Sequence, residues 1–372
     1  MIKFSTDLPL LKNLADVFTQ DTPLLDVRAP VEYTQGAFPH TRNVPLMNDQ
    51  ERHEVGVRYK EQGQDEAIVL GEALLTPELR EARIGQWVQF FKDNPQGALY
   101  CFRGGMRSKI TQQWIFDTTG IRYPRIEGGY KAMRRYLIDM GDVFINDFEF
   151  TLLSGRTGSG KTRFLHKTDQ MIDLEGLANH RGSAFGRKAS PQPTQIDFEN
   201  QLYIELLKYD QVERRSILLE DEGRNVGSVH LPHSLTERMA ESPIIFLEVS
   251  DDERLEVSIQ EYAIDAREDY TQIYGETVGF EKYKEALLGS LERIQKRLGG
   301  VRYQELRKLL MQALEAEEKG QGVELHEAWM SRILFEYYDP MYDYQIEKKK
   351  ERIIFRGNSQ EIAVFWSESV KP

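Results

Sequence analysis

The sequence predicts an α/β protein, with two parallel-sheet domains in series and a mostly helical C-terminal region. Three observations carry this. Short apolar runs alternate with helical periodicity through the first two-thirds of the chain, the pattern of β-α-β units. Two of those runs end in glycine-rich loops that open onto helices, Cys101–Ser108 and Gly155–Thr162. Beyond Asp252 the apolar residues settle into a 3- and 4-residue spacing.

A helical pattern through Leu11, Leu14 and Phe18 precedes a strand at Leu24–Val27 and a turn-rich stretch with Gly36, Pro39 and Pro45. From about Asp49 to Lys92 the pattern is helical, with Ile84, Trp87, Val88 and Phe91 on one stripe. Ala98–Tyr100 reads as a buried strand ending at Cys101, followed by a helix from about Ser108 to Asp117. A short strand at Ile121–Tyr123 and the turn Glu127-Gly128-Gly129-Tyr130 lead into a basic helix. A second unit opens with a strand at Phe150–Leu153 and a helix from Lys161, with further strands at Met171–Leu174, Ser216–Glu220 and Ile244–Val249. The stripe Phe280, Tyr283, Leu287, Leu291, Ile294 and Leu298 reads as helix–helix core. Arg352–Phe355 and Ile362–Trp366 around Gly357–Asn358 read as a hairpin. The expected domains are 1–140, 141–251 and 252–372, the last packed on the second and ending in that hairpin.

Composition narrows the classes. With 372 residues, 40% hydrophobic and 29% charged, the chain is an ordinary globular mix. No run reaches the ~18 apolar residues of a membrane span. The N-terminus has no basic segment followed by an apolar one, so a cytoplasmic location is expected. Cys101 is the single cysteine, which excludes an internal disulfide and a multi-cysteine metal site. No metal ligands are assigned and no tightly bound cofactor is expected. Net charge is −12, yet residues 101–190 hold 15 Lys+Arg against 9 Asp+Glu. A basic quarter inside an acidic protein suits a local polyanion site.

Both glycine-rich loops fall in that window. Gly155-Arg156-Thr157-Gly158-Ser159-Gly160-Lys161-Thr162 satisfies G-x-x-x-x-G-K-[ST] between a predicted strand and a predicted helix. Its backbone N–H groups would close around a di- or triphosphate, Lys161 would neutralise it, and Thr162 would hold Mg2+ where one binds. Asp173 with Glu175, and Glu220-Asp221-Glu222, stand at strand ends where they can position a metal or water, or serve as caps and solvated turns. Asn179–Gly186, with Arg181, can clamp an anion. His230 and His233 read as surface residues. In Cys101-Phe102-Arg103-Gly104-Gly105-Met106-Arg107-Ser108 the thiol sits at a strand end before a helix, where backbone N–H groups and the helix dipole favour the thiolate. Arg103 and Arg107 supply fixed positive charge for an oxyanion.

Leu25-Asp26-Val27-Arg28, Glu32, Gly36, Pro39-His40, Asn43-Val44-Pro45, the cysteine loop and Glu127–Tyr130 resemble a rhodanese domain, a fold that carries sulfur or selenium on its cysteine. The C-x5-R spacing from Cys101 to Arg107 is longer than the common rhodanese loop and is similar to that of cysteine phosphatases, which encircle a tetrahedral phosphate. A rhodanese-like domain joined to a P-loop NTPase-like domain, with Tyr337-Tyr338-Asp339-Pro340-Met341-Tyr342-Asp343-Tyr344-Gln345 near the C-terminus, resembles the bacterial tRNA 2-selenouridine synthase family over essentially the whole chain.

That resemblance implies a tRNA-modifying transferase acting on wobble 2-thiouridine, with selenophosphate and geranyl diphosphate as co-substrates and S-geranyl-2-thiouridine as intermediate. It places selenation at Cys101, which receives selenium or activates its transfer, with Arg103, Gly104, Gly105, Arg107 and Ser108 around the anion. Diphosphate falls to Gly155–Thr162. Lys131, Arg134, Arg135 and Arg181 are candidate tRNA contacts. The Tyr337–Tyr344 aromatics either stack an unpaired base or pack the C-terminal helices. The alternatives are a rhodanese-fold cysteine phosphatase or sulfurtransferase fused to a P-loop small-molecule kinase or nucleotide-binding module, or a nucleotide-switched tRNA-binding protein.

Overall fold

Leu24–Asp26 and Ala98–Tyr100 are buried along their whole length, as strands covered on both faces must be. They form the middle of a five-stranded parallel sheet in the computed structural model, which describes residues 4–211 and 215–369. The strand order is Leu10–Leu11, Arg125–Ile126, Ala98–Tyr100, Leu24–Asp26, Thr41–Asn43. Leu25, Val27, Trp87, Phe91, Leu99 and Trp114 make its core. The 49–92 region is three helices, Asp49–Gln62, Gln64–Leu74 and Pro77–Asp93, broken at Gly63 (φ 88°) and at Thr76-Pro77.

The strand expected at Ile121–Tyr123 lies instead at Arg125–Ile126. Tyr123 is drawn out of the ladder to stack on Phe91 with ring centroids 3.9 Å apart. Pro124, which has no N–H to donate, offers its carbonyl to the Leu99 N–H at 3.0 Å.

The chain divides into two units whose boundaries differ from those expected. The first comprises 1–144 with 194–212, the second 145–193 with 213–372. Residues 195–211, which fall within the expected 141–251 domain, form the helix Gln195–Gln211 and belong to the first unit. Its Asn200 donates to the Ala37 carbonyl at 2.6 Å, its Asp197 accepts from the Ala37 N–H at 2.6 Å, and Lys208 pairs with Asp21 at 2.9 Å. Phe198, Leu202 and Leu206 are buried beneath these polar ties.

The second unit has its own parallel sheet, in the order Ile353–Gly357, Ile244–Leu247, Glu149–Ser154, Ser216–Glu220, Met171–Ile172. The expected C-terminal hairpin does not form. Ile353–Gly357 pairs parallel to Ile244–Leu247, and the following segment is the helix Ser359–Ser369. Asn358 caps that helix, accepting from the Gln360 and Glu361 N–H groups at 2.9 and 3.1 Å. Glu361 returns a bond to the Asn358 N–H at 2.8 Å, and Ile362 and Trp366 bury one turn apart. From Asp251–Ile259 to Asp339–Lys349 the unit is helical, around Tyr283, Leu287, Leu291, Leu310 and Trp329. Two π-helical turns, Gln260–Asp265 and Ile333–Tyr338, carry Tyr262 and Tyr338. No helix among the described residues is long and apolar enough to cross a membrane.

Candidate functional site

In the first unit Cys101 ends its strand, 3% exposed, and the helix Met106–Thr119 starts five residues later. The loop is held from beneath by the Gly128-Gly129 turn. Tyr130 N–H donates to the Cys101 carbonyl and Lys131 N–H to the Phe102 carbonyl, both at 2.9 Å. A Cβ on Gly129 (φ 58°) would overlap the Cys101 carbonyl oxygen, and one on Gly104 (φ 61°) would meet the Gly128 nitrogen at 2.8 Å. The Cys101 thiol donates to Ser108 Oγ at 3.2 Å, and Ser108 donates to the Gly105 carbonyl at 3.1 Å. Arg125 ties the loop further, donating to the Gly104 carbonyl at 2.9 Å.

Cys101 opens into a cavity of about 660 Å³ lined by Arg28, Arg52, Arg103 and Arg107 against the single carboxylate Glu32. Arg103 is exposed. Arg107 is bidentate to Glu32, at 2.5 and 3.0 Å, and Arg52 adds a third contact at 3.1 Å. Burial raises the Glu32 carboxyl, but Arg107 and Arg52 outweigh it and hold the group below its ordinary 4.5. Arg28, 1% exposed, is bonded to Asp26 at 2.8 Å and to the Gly36 carbonyl at 2.9 Å, and lies 3.9 Å from the Tyr130 ring centroid. Ile196, from the helix Gln195–Gln211, completes the lining.

In the second unit Gly155–Thr162 joins Glu149–Ser154 to the short helix Lys161–Leu165. Gly158 (φ 78°) and Gly160 (φ 73°) hold the left-handed turns, and a Cβ on Gly155 would meet Ser159 Oγ at 2.7 Å. Thr157 and Ser159 are buried. Lys161 is half-buried and donates to the Gly155 carbonyl at 3.1 Å. Burial alone would lower its affinity for the proton; Tyr342 and the carboxylates Glu175, Glu222 and Glu220 raise it above the ordinary value.

Thr162 Oγ1 lies 3.4 Å from Glu175 and 3.3 Å from Glu220, and the Glu175 N–H donates to Glu220 at 3.1 Å. Burial followed by mutual repulsion pushes Glu220 and Glu222 well above the usual carboxylate range; burial also raises Glu175. Asp173 caps a helix by accepting from the Gly176 N–H at 2.6 Å and meets His166 at 2.6 Å. Asp221 accepts from Ser154 at 2.8 Å and Lys349 at 2.7 Å. Glu175 is thus the expected carboxylate that reaches Thr162, and Glu220 joins it.

Three residues outside the sequence motif hold the loop. Arg254, 1% exposed, donates to the Thr157 carbonyl at 3.1 Å and to Asp339 at 2.9 and 2.6 Å. Arg156 donates to Asp343 at 2.6 Å. The signal was present in the sequence, since Asp339 and Asp343 stand in the Tyr337–Gln345 segment four residues apart. Tyr337, Tyr338 and Tyr342 pack in the helical core, whereas Tyr344 is exposed. Tyr338 accepts from the Ala184 N–H at 3.1 Å and Tyr262 donates to Ser183 at 2.9 Å, fixing the 179–186 loop. In that loop Arg181 pairs with Asp269 at 3.1 Å, and its other terminal nitrogen is buried with no hydrogen-bond partner among the described residues.

The candidate tRNA cations divide. Lys131 and Arg135 are exposed, Arg135 paired with Asp139 at 2.8 Å. Arg134 is bound to Glu199 and, at 2.9 Å, to Asn200. His230 and His233 are exposed. No group of three or more His, Cys, Asp or Glu among the described residues is arranged to hold a metal ion.

A buried cysteine facing four arginines, and a half-buried lysine near three carboxylates, each sit where a parallel strand leads into a helix. The fold is α/β, and the relatives that follow make the chain an enzyme of the transferase class. Residues 148–371 match the family described as the tRNA 2-selenouridine synthase AAA domain. A tRNA 2-selenouridine synthase of Marinobacter nauticus is 49% identical over 95% of this chain and 96% of its own. Proteins of the same name from a Sulfurovum species (46%, covering 97% and 99%) and Pseudomonas putida (48%, covering 95% and 96%) are similar throughout. Among solved structures, the N-terminal domain of a putative ATP/GTP binding protein from Clostridium difficile 630 is 29% identical over 35% of this chain and 98% of its own, with a TM-score of 0.31. The chain belongs to the tRNA 2-selenouridine synthase family, whose members modify tRNA.

Proposed function

We propose that this chain replaces the sulfur of wobble 2-thiouridine in tRNA by selenium, in two steps at two sites, in the cytoplasm. One observation carries the reading: a single chain of this family pairs an arginine-lined cysteine cavity with a glycine-rich loop whose Lys161-Thr162 end faces the carboxylates Glu175 and Glu220. The strand order around Cys101 and the Gly128-Gly129 buttress support a rhodanese-like first unit. The strand–loop–helix passage at Gly155–Thr162 supports a P-loop-like second unit.

A thiocarbonyl sulfur leaves a uridine ring poorly, so it is first alkylated. The allylic C–O bond of geranyl diphosphate breaks, and its electron pair departs with diphosphate. Lys161, Arg156 and the backbone N–H groups of Gly158–Thr162 neutralise that charge, which lowers the barrier without ATP. A new S–C bond forms on the base, and N3 gives up its proton to solvent. Thr162 with Glu175 or Glu220 offers the hard oxygen donors that Mg2+ takes alongside phosphate, and the ion would supply further charge to the leaving group.

In the second step the Cys101 thiolate attacks the phosphorus of selenophosphate. An S–P bond forms, the P–Se bond breaks, and hydrogen selenide anion is released beside Arg103 and Arg107. Selenide attacks C2 of the alkylated base, the C2–S bond breaks, and the geranyl thiolate leaves with the proton. Water then hydrolyses the cysteinyl phosphate. Atoms and electrons balance with no oxidant. Exposed Lys131, Arg103 and Arg135 offer contacts to the tRNA backbone.

The test is nucleoside mass spectrometry after incubation with 2-thiouridine tRNA, geranyl diphosphate and selenophosphate. Cys101→Ala should accumulate S-geranyl-2-thiouridine, whereas Lys161→Ala should leave 2-thiouridine untouched. Complete loss of geranylation in Cys101→Ala would refute the division of labour. Parallel assays with ATP and an aryl phosphate report kinase or phosphatase turnover, neither of which is expected.

A further inference from the structure

The first unit holds a second cavity that the two steps above leave without a task. It measures about 290 Å³ and lies among the helices Asp49–Gln62, Gln64–Leu74 and Met106–Thr119. Its wall is mainly apolar, with Leu46, Val55, Ala67, Leu75, Ile110 and Trp114. Met106 and Arg107 line both this cavity and the one that holds Cys101. The two cavities therefore share a wall at the start of the helix that follows the cysteine loop.

Three properties define what fits. An apolar cavity of ~150 Å³ accepts benzene, six carbons; about 290 Å³ has room for roughly ten. Arg107, the cation on the shared wall, is already committed to Glu32, so the site holds no free positive charge for an anion. Gly71 stands inside the helix Gln64–Leu74, where glycine is unfavourable, and a Cβ there would meet only Val55 at 3.8 Å. Glycine at that position keeps space open.

We propose that this cavity seats the ten-carbon alkyl group of the S-alkylated base while its C2 faces the selenium nucleophile at Cys101. The inference rests on the two-step reading and deepens it. The alkyl group is then a handle as well as part of a leaving group. Each methylene buried is worth roughly fourfold in binding, so the selenation site selects alkylated over bare 2-thiouridine.

The experiment uses the full chain with tRNA carrying either S-geranyl- or S-methyl-2-thiouridine, made separately, and selenophosphate. Wild type should show at least tenfold higher kcat/KM for the geranyl substrate. Gly71→Phe, whose ring enters the cavity, should bring the geranyl value down to that of the methyl substrate, mainly through KM, and leave the methyl value unchanged. Equal rates for both substrates in wild type, or an intact preference in Gly71→Phe, would overturn the proposal. Gly71→Leu serves if the phenylalanine variant melts early. A titration of the tryptophan fluorescence with geraniol, its Trp114 part read by difference from Trp114→Phe, tests the cavity apart from the reaction. Saturable binding that weakens at least tenfold in the Gly71 variants supports it, even if neither alkylated tRNA is selenated and the two-step reading itself fails. Absence of saturable binding in wild type sinks the cavity's role whatever the rates.

Discussion

Glu32 is the residue on which the arginine-rich cavity depends. It is nearly buried and takes two arginines, and its proton affinity lies below the ordinary 4.5 because their pull exceeds the penalty of burial. A carboxyl lowered in the fold stabilises above its unfolded value, and that contribution is lost as pH falls through the lowered folded one. Glu32→Gln removes the charge shared by Arg107 and the half-exposed Arg52 and should cost about 1–2 kcal/mol at neutral pH, less than a fully buried pair because both arginines reach solvent; the loss should shrink when melts are repeated below pH 4. A similar sign applies to His180, which burial first and then Arg187, Arg293 and Lys188 push down to about 4 from 6.5. The unfolded chain takes up its proton first, so stability should drain away between pH 6.5 and about 4, by roughly 3 kcal/mol at 1.36 kcal/mol per unit. His180→Gln should flatten that limb in a pH series of thermal melts. At this scale the sequence shows the candidate groups and hides their keepers. Cys101, Lys161 and Gly129 stand in local motifs, whereas Glu32 meets Arg107 across 75 residues and Arg254 meets Asp339 across 85.

Elements were legible where one period dominated and misread where a short segment allowed two. Ile362–Trp366 reads as a strand in the sequence because it follows Gly357-Asn358, a hairpin signature. The Asn358–Glu361 capping box and the four-residue spacing of Ile362 and Trp366 both favour the helix that forms. Ending the chain at Arg352 would remove the edge strand Ile353–Gly357 and uncover Ile245 and Leu247, so the truncated protein should melt well below the full chain and bind an apolar dye. The carboxylates around Ser216–Glu220 carry the opposite sign to Glu32. Glu220 and Glu222 bind protons more tightly in the fold than in the unfolded chain, so their contribution is present below the ordinary 4.5 and lost as pH rises through the raised folded values. Glu220→Gln should therefore raise thermal stability at pH 8 and change it little at pH 4, while slowing alkylation if Glu220 serves Thr162. A variant equally stabilised at both pH values would show that packing, not charge, governs that position.

At the scale of the whole molecule, the chain passes between units after residue 144, after 193 and after 212, so neither unit is one continuous segment. Hydrophobic periodicity alone could not reveal this, because a buried stripe such as Phe198, Leu202 and Leu206 reports that a helix face is covered and not against what. The first unit needs that helix for more than coverage. Gly36 lies so close to Ile196 that a Cβ would meet its side chain at 2.5 Å, Tyr203 crowds Gly141, and Ile196 lines the cysteine cavity. A fragment of residues 1–144 should therefore fold poorly, with Phe18, Tyr136 and Leu137 losing neighbours and the wall beside Tyr130 missing. Joining residues 194–211 to that fragment through a flexible linker of about 20 glycine and serine residues, spanning roughly 5–6 Å × √n, restores the missing layer. The joined fragment should melt cooperatively by circular dichroism, whereas 1–144 alone should show a broad, shallow transition. Equal cooperativity in the two fragments would mean that the helix is an accessory to the first unit and that the cysteine cavity closes without it.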